Sequence, residues 1–203
     1  MDNNVFPTKG NLMATKNSHK LSQLGFELLD KKRGILINEL MKYLAKAQEI
    51  RENVDGLFKE AYVALQKANI VMGISNIESC AKSTPVENGL SQYDKSIMGV
   101  VVPVIKFDQT HKINPSYGLF GTDDSLDNVF CKFNEIKFKL LELSEIENTV
   151  YKLSYGISKV SKRANALQNI MIPKFENTIK VISDVLEEKE REEFSRLKLL
   201  KDE

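Results

Sequence analysis

The run from Val129 to Met171, VFCKFNEIKFKLLELSEIENTVYKLSYGISKVSKRANALQNIM, decides the fold. Its apolar positions Val129, Phe133, Ile136, Leu140, Leu143, Ile146, Val150, Leu153, Ile157, Val160, Ala164, Leu167 and Met171 advance by three or four residues, a mean step of 3.5 over 42 residues. That is the heptad period, in which a helix keeps one narrow apolar seam toward a partner. Upstream, Leu40, Leu44, Ala47, Ile50, Val54, Leu57, Ala61, Leu65 and Ala68 repeat the same step. Charged residues such as Lys42, Lys46, Glu49 and Glu52 fill the intervals, as a solvated face requires.

Two seams of this kind, joined by a short insert, are most simply buried against each other. A repeat below 3.6 residues winds such a pair left-handed. The spacing therefore predicts a mainly α chain: a long antiparallel two-helix left-handed coiled coil formed by 1–80 and 126–203, with a small central insert at 81–125, all one structural unit. The alternative, a bundle of four shorter helices, needs breaks inside the flanks, and Asn53-Val54-Asp55-Gly56 is the best placed. Gly25, Gly34, Gly56, Gly73 and Gly156 each cost about 1 kcal/mol relative to Ala inside a helix, a loss that seam packing offsets. Pro173 removes a backbone donor and crowds the preceding turn. It predicts a kink between Met171 and Lys174, after which the apolar pattern resumes at Phe175, Ile179, Ile182 and Leu186.

The insert has a different grammar, with Pro85, Pro103, Pro115 and four glycines. Ile97 to Ile105 is β-branched and bounded too tightly for a helix, so it reads as a strand, and Pro103 places that strand at an edge. A partner strand is expected after Asn114-Pro115, around Tyr117 to Phe120, giving a short β-hairpin. The edge and its residues Val100, Val102, Pro103, Val104 and Phe107 make the insert a candidate partner-docking element. Asp123 or Asp124 with Ser125 suits the start of the following helix.

Lys and Arg number 29 against 28 Asp and Glu, a net charge of +1, which gives no reason to expect nucleic acid or an acidic membrane surface as partner. Cys80 and Cys131 form neither a disulfide framework nor a zinc spacing; they fit a reducing compartment and burial as small apolar side chains. No stretch approaches about 18 uncharged apolar residues, so no membrane span is expected. No phosphate loop, GxGxxG, HExxH or CxxC occurs, and His19 and His111 lie a whole predicted helix apart. The expectation is a chain without catalytic, cofactor or metal residues, acting mechanically or as a scaffold.

Particular residues add a family likeness. Phe6-Pro7-Thr8-Lys9 with Leu12, then Gly25 with Leu28-Leu29 and Lys32-Arg33, and Met98-Gly99-Val100 with Val102-Pro103 resemble elements of the D subunit of the rotary V-type (archaeal-type) ATPases. The most specific match is at the C-terminus: Ser161-Lys162-Arg163-Ala164-Asn165-Ala166-Leu167, Ile172-Pro173, Thr178-Ile179-Lys180, and Leu186 through Lys198. Gly34 departs from the family's usual Asp.

The resemblance implies a non-catalytic central-stalk rotor, located in the cytoplasm and peripheral to the membrane. Its two ends would enter a hexamer of catalytic and regulatory subunits, and its other region would meet the F subunit and the membrane-ring adaptor. It would carry torque between ATP turnover and ion translocation. Lys162, Arg163, Lys174, Arg191 and Arg196 become candidate contacts with the hexamer. The rival reading of the same pattern is an antiparallel coiled-coil adaptor that tethers two proteins without rotating.

Overall fold

The computed structural model describes residues 6–84, 89–107, 117–118 and 121–201. Helix α1 (Lys9–Met72) is followed by α2 (Ile74–Ser83), strands β1 (Leu90–Ile97) and β2 (Val100–Phe107), helix α3 (Asp124–Ala166), a π-helical turn (Leu167–Met171) and α4 (Ile172–Lys201). Two compact units divide the chain: Met1–Ile35 with Ile157–Glu203, and Leu36–Gly156.

Thr8 starts α1. Its hydroxyl accepts the Asn11 amide at 3.2 Å and its carbonyl accepts that of Leu12 at 3.0 Å, which covers amides that have no partner inside the helix. No turn forms at Asn53 to Gly56, and the helix runs straight through that segment. It stops instead at Gly73, whose φ of 81° only glycine adopts without strain. Gly73 therefore acts as the breaker between α1 and α2 rather than as a tolerated helical glycine.

In the first unit, α1 and the C-terminal segment run antiparallel. Lys9 Nζ lies 2.8 Å from Glu190, His19 Nε2 lies 3.3 Å from Glu176, and a Cβ on Gly25 would meet Leu167 at 3.7 Å. The half-buried face of α1 here is Leu12, Thr15, His19, Ser22, Phe26, Leu29 and Arg33, again in steps of three and four. The seam thus begins near the start of the helix, although most of these side chains are small or polar. Beside Lys9 the Glu190 carboxyl is held below its ordinary range, by the hydrogen bond first and by charge second.

The second unit pairs α1 with α3 in the same sense. Arg51 meets Glu147 at 2.9 Å, Glu60 meets Lys132 at 2.8 Å, and Tyr62 meets Phe133 edge to face. Leu36, Val54, Ala61, Ala64 and Ala68 are buried on one side, and Val129, Ile136, Leu143, Ile146 and Leu153 on the other. Each fully buried aliphatic side chain contributes about 1.5 to 3 kcal/mol, so the seam outweighs the exposed ion pairs beside it. Two seam positions here differ from the pattern: Leu44 is exposed beside a half-buried Tyr43, and Leu140 is 40% exposed.

The hairpin corrects the expected pairing. The partner of β2 is β1, running antiparallel with Ile97 opposite Val100 and Leu90 opposite Phe107, not the segment from Tyr117 to Phe120; of the latter, 119–120 lie outside the described residues. The expected strand from Ile97 to Ile105 contains the turn itself. Met98 at φ 50° and Gly99 at φ 78° form the two-residue turn that right-twisted strands favour. Pro103 faces Asp94 in a strand with a free edge, where a missing amide costs no ladder bond.

On α3 the hairpin is held at two points. The Ile105 amide donates to Glu145 Oε2 at 2.9 Å, and a Cβ on Gly156 would lie only 2.7 Å from Val100 Cγ2. Five strand steps from Val100 to Ile105 rise about 16.5 Å, and eleven helical steps from Gly156 to Glu145 rise about 16.5 Å. The equal rises let β2 lie along α3, with Val102 buried against it.

Tyr117 is buried beside the start of α3, donates to Asp127 Oδ1 at 2.5 Å and meets Phe130 edge to face. Burial first, then the bond to Asp127, raises its pKa above the ordinary tyrosine value. Asp123 begins α3 by accepting the Leu126 amide on its carbonyl and the Ser125 hydroxyl on its carboxylate. Cys131 is exposed and Cys80 half-buried, so burial of both thiols is not what the fold does with them.

Two outcomes follow from this packing. Gly56 has open space where a Cβ would go, so Gly56→Ala raises stability by about 0.5 to 1 kcal/mol in urea unfolding. Gly156→Ala makes no such gain, because overpacking against Val100 costs about 1 to 3 kcal/mol, and it speeds hydrogen exchange at the Ile105 amide. The second outcome concerns alkali. A raised folded-state pKa makes Tyr117 contribute stability that is complete below the ordinary tyrosine pKa and is lost as pH rises above it, so Tyr117→Phe flattens the stability profile above about pH 10.

Candidate functional site

Among the described residues no group of three or more His, Cys, Asp or Glu could hold a metal ion. His19 is spent on Glu176 in the seam, and His111 lies outside the described residues. The features that offer chemistry are surfaces, and each unit has its own.

In the first unit the five candidate cations are all exposed. Arg191 lies 3.8 Å from Glu187 and Arg196 lies 4.0 Å from Glu192, both one turn away on the same helix. Lys162, Arg163 and Lys174 have no ion-pair partner among the described residues. All five can therefore meet an external carboxylate at little cost, since the exposed intrahelical pairs of Arg191 and Arg196 are worth only tenths of a kcal/mol.

A second feature of this unit escaped the sequence reading. Met13, Leu21, Leu24 and Leu28 are 57 to 71% exposed, and their spacing puts them on one stripe of α1, distinct from the seam. Near the other terminus Phe194, Leu197 and Leu199 are also largely exposed. Isolated exposed leucines need no explanation, but an aligned set marks an interaction surface. The clue available in the sequence is that the start of α1 carries two apolar sets, Leu12, Phe26 and Leu29 as well as Leu21, Leu24 and Leu28, and a two-helix pair can bury only one.

In the second unit the hairpin candidates fall on β2. Val100 seats on Gly156, Val102 is buried, and Pro103 and Val104 are half-buried. Phe107 closes the strand opposite Leu90. The exposed side of the hairpin is β1, where every residue from Leu90 to Ser96 is exposed, with Tyr93 under the Lys106 ammonium at 5.0 Å.

At the end of the same unit the close of α1, α2 and the start of α3 enclose an apolar groove of about 570 Å³ lined by Leu65, Ile77, Val129, Phe130 and Phe133 among others. Ile70, Val71 and Ile74 stand exposed at the break between α1 and α2. Sequence reasoning had no access to this groove, because it exists only where Gly73 turns the chain. No described helix is long and apolar enough to cross a membrane.

Comparison with known proteins agrees with this architecture. A family model described as the ATP synthase D subunit matches residues 11–202. The chain is 39% identical over 198 residues to the V-type ATP synthase D subunit of Thermotoga neapolitana, covering 98% of this chain and 97% of that one. It is 38% identical to the A-type ATP synthase D subunit of Methanosphaera stadtmanae, across 97% of this chain and 93% of the relative. It is 39% identical to that of Methanobrevibacter smithii, across 97% and 86%. Paired long helices, a small two-stranded hairpin and a match along nearly its full length place the chain in the D-subunit family of the ATP synthases.

Proposed function

We propose that the chain is the central-stalk rotor of a rotary V-type ATPase or ATP synthase, carrying torque between ATP turnover in a catalytic hexamer and ion translocation by a membrane ring. The observation that carries this reading is the first unit, in which a coiled pair of long helices presents an aligned apolar stripe and exposed cations to the outside. A shaft turning within a ring of subunits needs that surface. Apolar contacts have no preferred direction and slide with little penalty, whereas charges at a few points give the orientation dependence that couples angle to chemistry.

In this reading the chain is non-catalytic and ATP is bound by its neighbours. The stripe of Met13, Leu21, Leu24 and Leu28 and the cations Lys162, Arg163, Lys174, Arg191 and Arg196 face the catalytic and regulatory subunits. The hairpin residues Val100, Val102, Pro103, Val104 and Phe107 build the docking insert, with β1 as its outward strand. The F subunit and the membrane-ring adaptor are the partners of the second unit, whose groove and exposed Ile70, Val71 and Ile74 suit an apolar socket. The chain works in the cytoplasm, peripheral to the membrane.

The rotor and adaptor readings separate in a tagged pull-down from native membranes under gentle detergent. The rotor reading expects one copy of this chain per catalytic hexamer in an ATPase-active eluate; unrelated partners without nucleotide-binding subunits would favour the adaptor. Within the complex, replacing Leu21, Leu24 and Leu28 together by Ser leaves the melting temperature of the free chain nearly unchanged, because the three are exposed, yet lowers coupled ATP turnover. Neutralising the five cations one at a time changes little, and neutralising all of them reduces coupled turnover; full activity in the fivefold variant would refute the contact assignment.

A further inference from the structure

The π-helical turn at Leu167–Met171 sits in the middle of a seam that is otherwise regular. Toward the end of α3 the inward positions Ile157, Val160, Ala164 and Leu167 alternate steps of three and four. Along α4 the inward positions Ile172, Phe175, Ile179, Ile182 and Leu186 do the same. Between the two sets the step is five. An unbroken α-helix would place Ile170 or Met171 on the seam after Leu167, but both are exposed and Ile172 is half-buried. Farther on, continuing the α3 pattern without a slip would bury Val181, which is 62% exposed, whereas Ile182 is 2% exposed.

The backbone shows where the added residue goes. The Ile172 amide donates to the Leu167 carbonyl, five residues back. A π turn holds one residue more than the α turn it replaces, so the step in the seam and the hydrogen-bond pattern have the same size and the same location.

We infer that this turn is a one-residue insert that hands the buried seam of α3 on to α4, and that Pro173 pins it in place. Pro173 has no amide to donate and its ring crowds the carbonyl four residues before it in a regular helix. Directly after the π turn the ladder is already opened, so the proline sits there at reduced cost. One residue farther along, the same proline would lie inside a regular α turn, and a π turn that drifted toward α4 would have to pass it. Without the insert, every side chain beyond Met171 would rotate by about 100° about the helix axis, turning Ile182 outward and Val181 toward α1.

The test uses the full chain and compares deletions. Removing Asn169, which is exposed and lies inside the π turn, shortens the step from five to four and leaves the seam aligned, but it traps Pro173 in a regular helix. Deletion of Asn169 combined with Pro173→Ala is therefore expected to melt within about 3 °C of the parent. Deletion of the exposed Ser158 with Pro173→Ala, which relaxation of the turn can offset only by displacing the buried Val160 and Ala164 and the half-buried Leu167 from the seam, is expected to melt lower by about 10 °C or more. Equal melting temperatures for the two deletion variants would overturn the proposal. Should the deletion variants fail to fold, Pro173→Ala alone decides it: the seam still needs one extra residue, so a crystal structure of that variant keeps a π turn between Leu167 and Ile182 but no longer fixed at the Ile172 to Leu167 bond, and either a regular α-helix from 167 to 182 or a turn that stays fixed at that bond would overturn it.

Discussion

Neither long helix can bury its apolar stripe against itself. A single helix in water gains little beyond its own hydrogen bonds, and most of its stability in a protein comes from the face it packs. The remainder of the structure depends on that pairing. Gly25 and the alanines at 61, 64 and 68 keep the facing side chains small, and the cross-helix pairs from Lys9 with Glu190 to Glu60 with Lys132 flank the buried faces. The ion pairs are exposed and screened by salt, so they select the antiparallel alignment more than they stabilise it.

The hairpin obeys the same constraint at a smaller scale. Two strands alone are marginal, and these two become stable by leaning on α3. Gly156 supplies the space, Val102 the buried contact, and Glu145 an acceptor for an amide that would otherwise face the helix unsatisfied. The cost of this arrangement is a strand β1 that no described residue covers on its outer side, where Asp94, Lys95 and its other polar residues oppose edge-to-edge pairing.

Much of this was legible in the sequence wherever large aliphatic side chains recur at heptad spacing, as from Val129 to Leu167. It was illegible where the seam is made of small or polar groups. Thr15, His19 and Ser22 give no apolar signal, so the first thirty residues of α1 read as periodic only once their partner is in place. The exchange of Leu44 for Tyr43 is of the same kind, since hydropathy favours Leu while the phase of the helix favours its neighbour. The turn at Met98-Gly99 was hidden because Met at a positive φ is uncommon and Ile97 with Val100, Val101 and Val102 reads as one strand across it. The candidate cations were visible by type. The aligned leucines of α1 were not, because an apolar residue on a helix is first assigned to the core, and only the identity of the buried face reveals which set is left outside.

The antiparallel pairing also has a consequence for synthesis. Lys9 leaves the ribosome long before its partner Glu190. At about 5 to 20 residues per second, the apolar face of α1 waits roughly 10 to 40 seconds for its complement. The contacts nearest the central insert, such as Ala64 and Ala68 with Val129, close the shortest loop and carry the smallest entropic penalty. Assembly therefore zips from the insert toward the termini, and the nascent first helix must be shielded from other chains until the helix that covers it has been made.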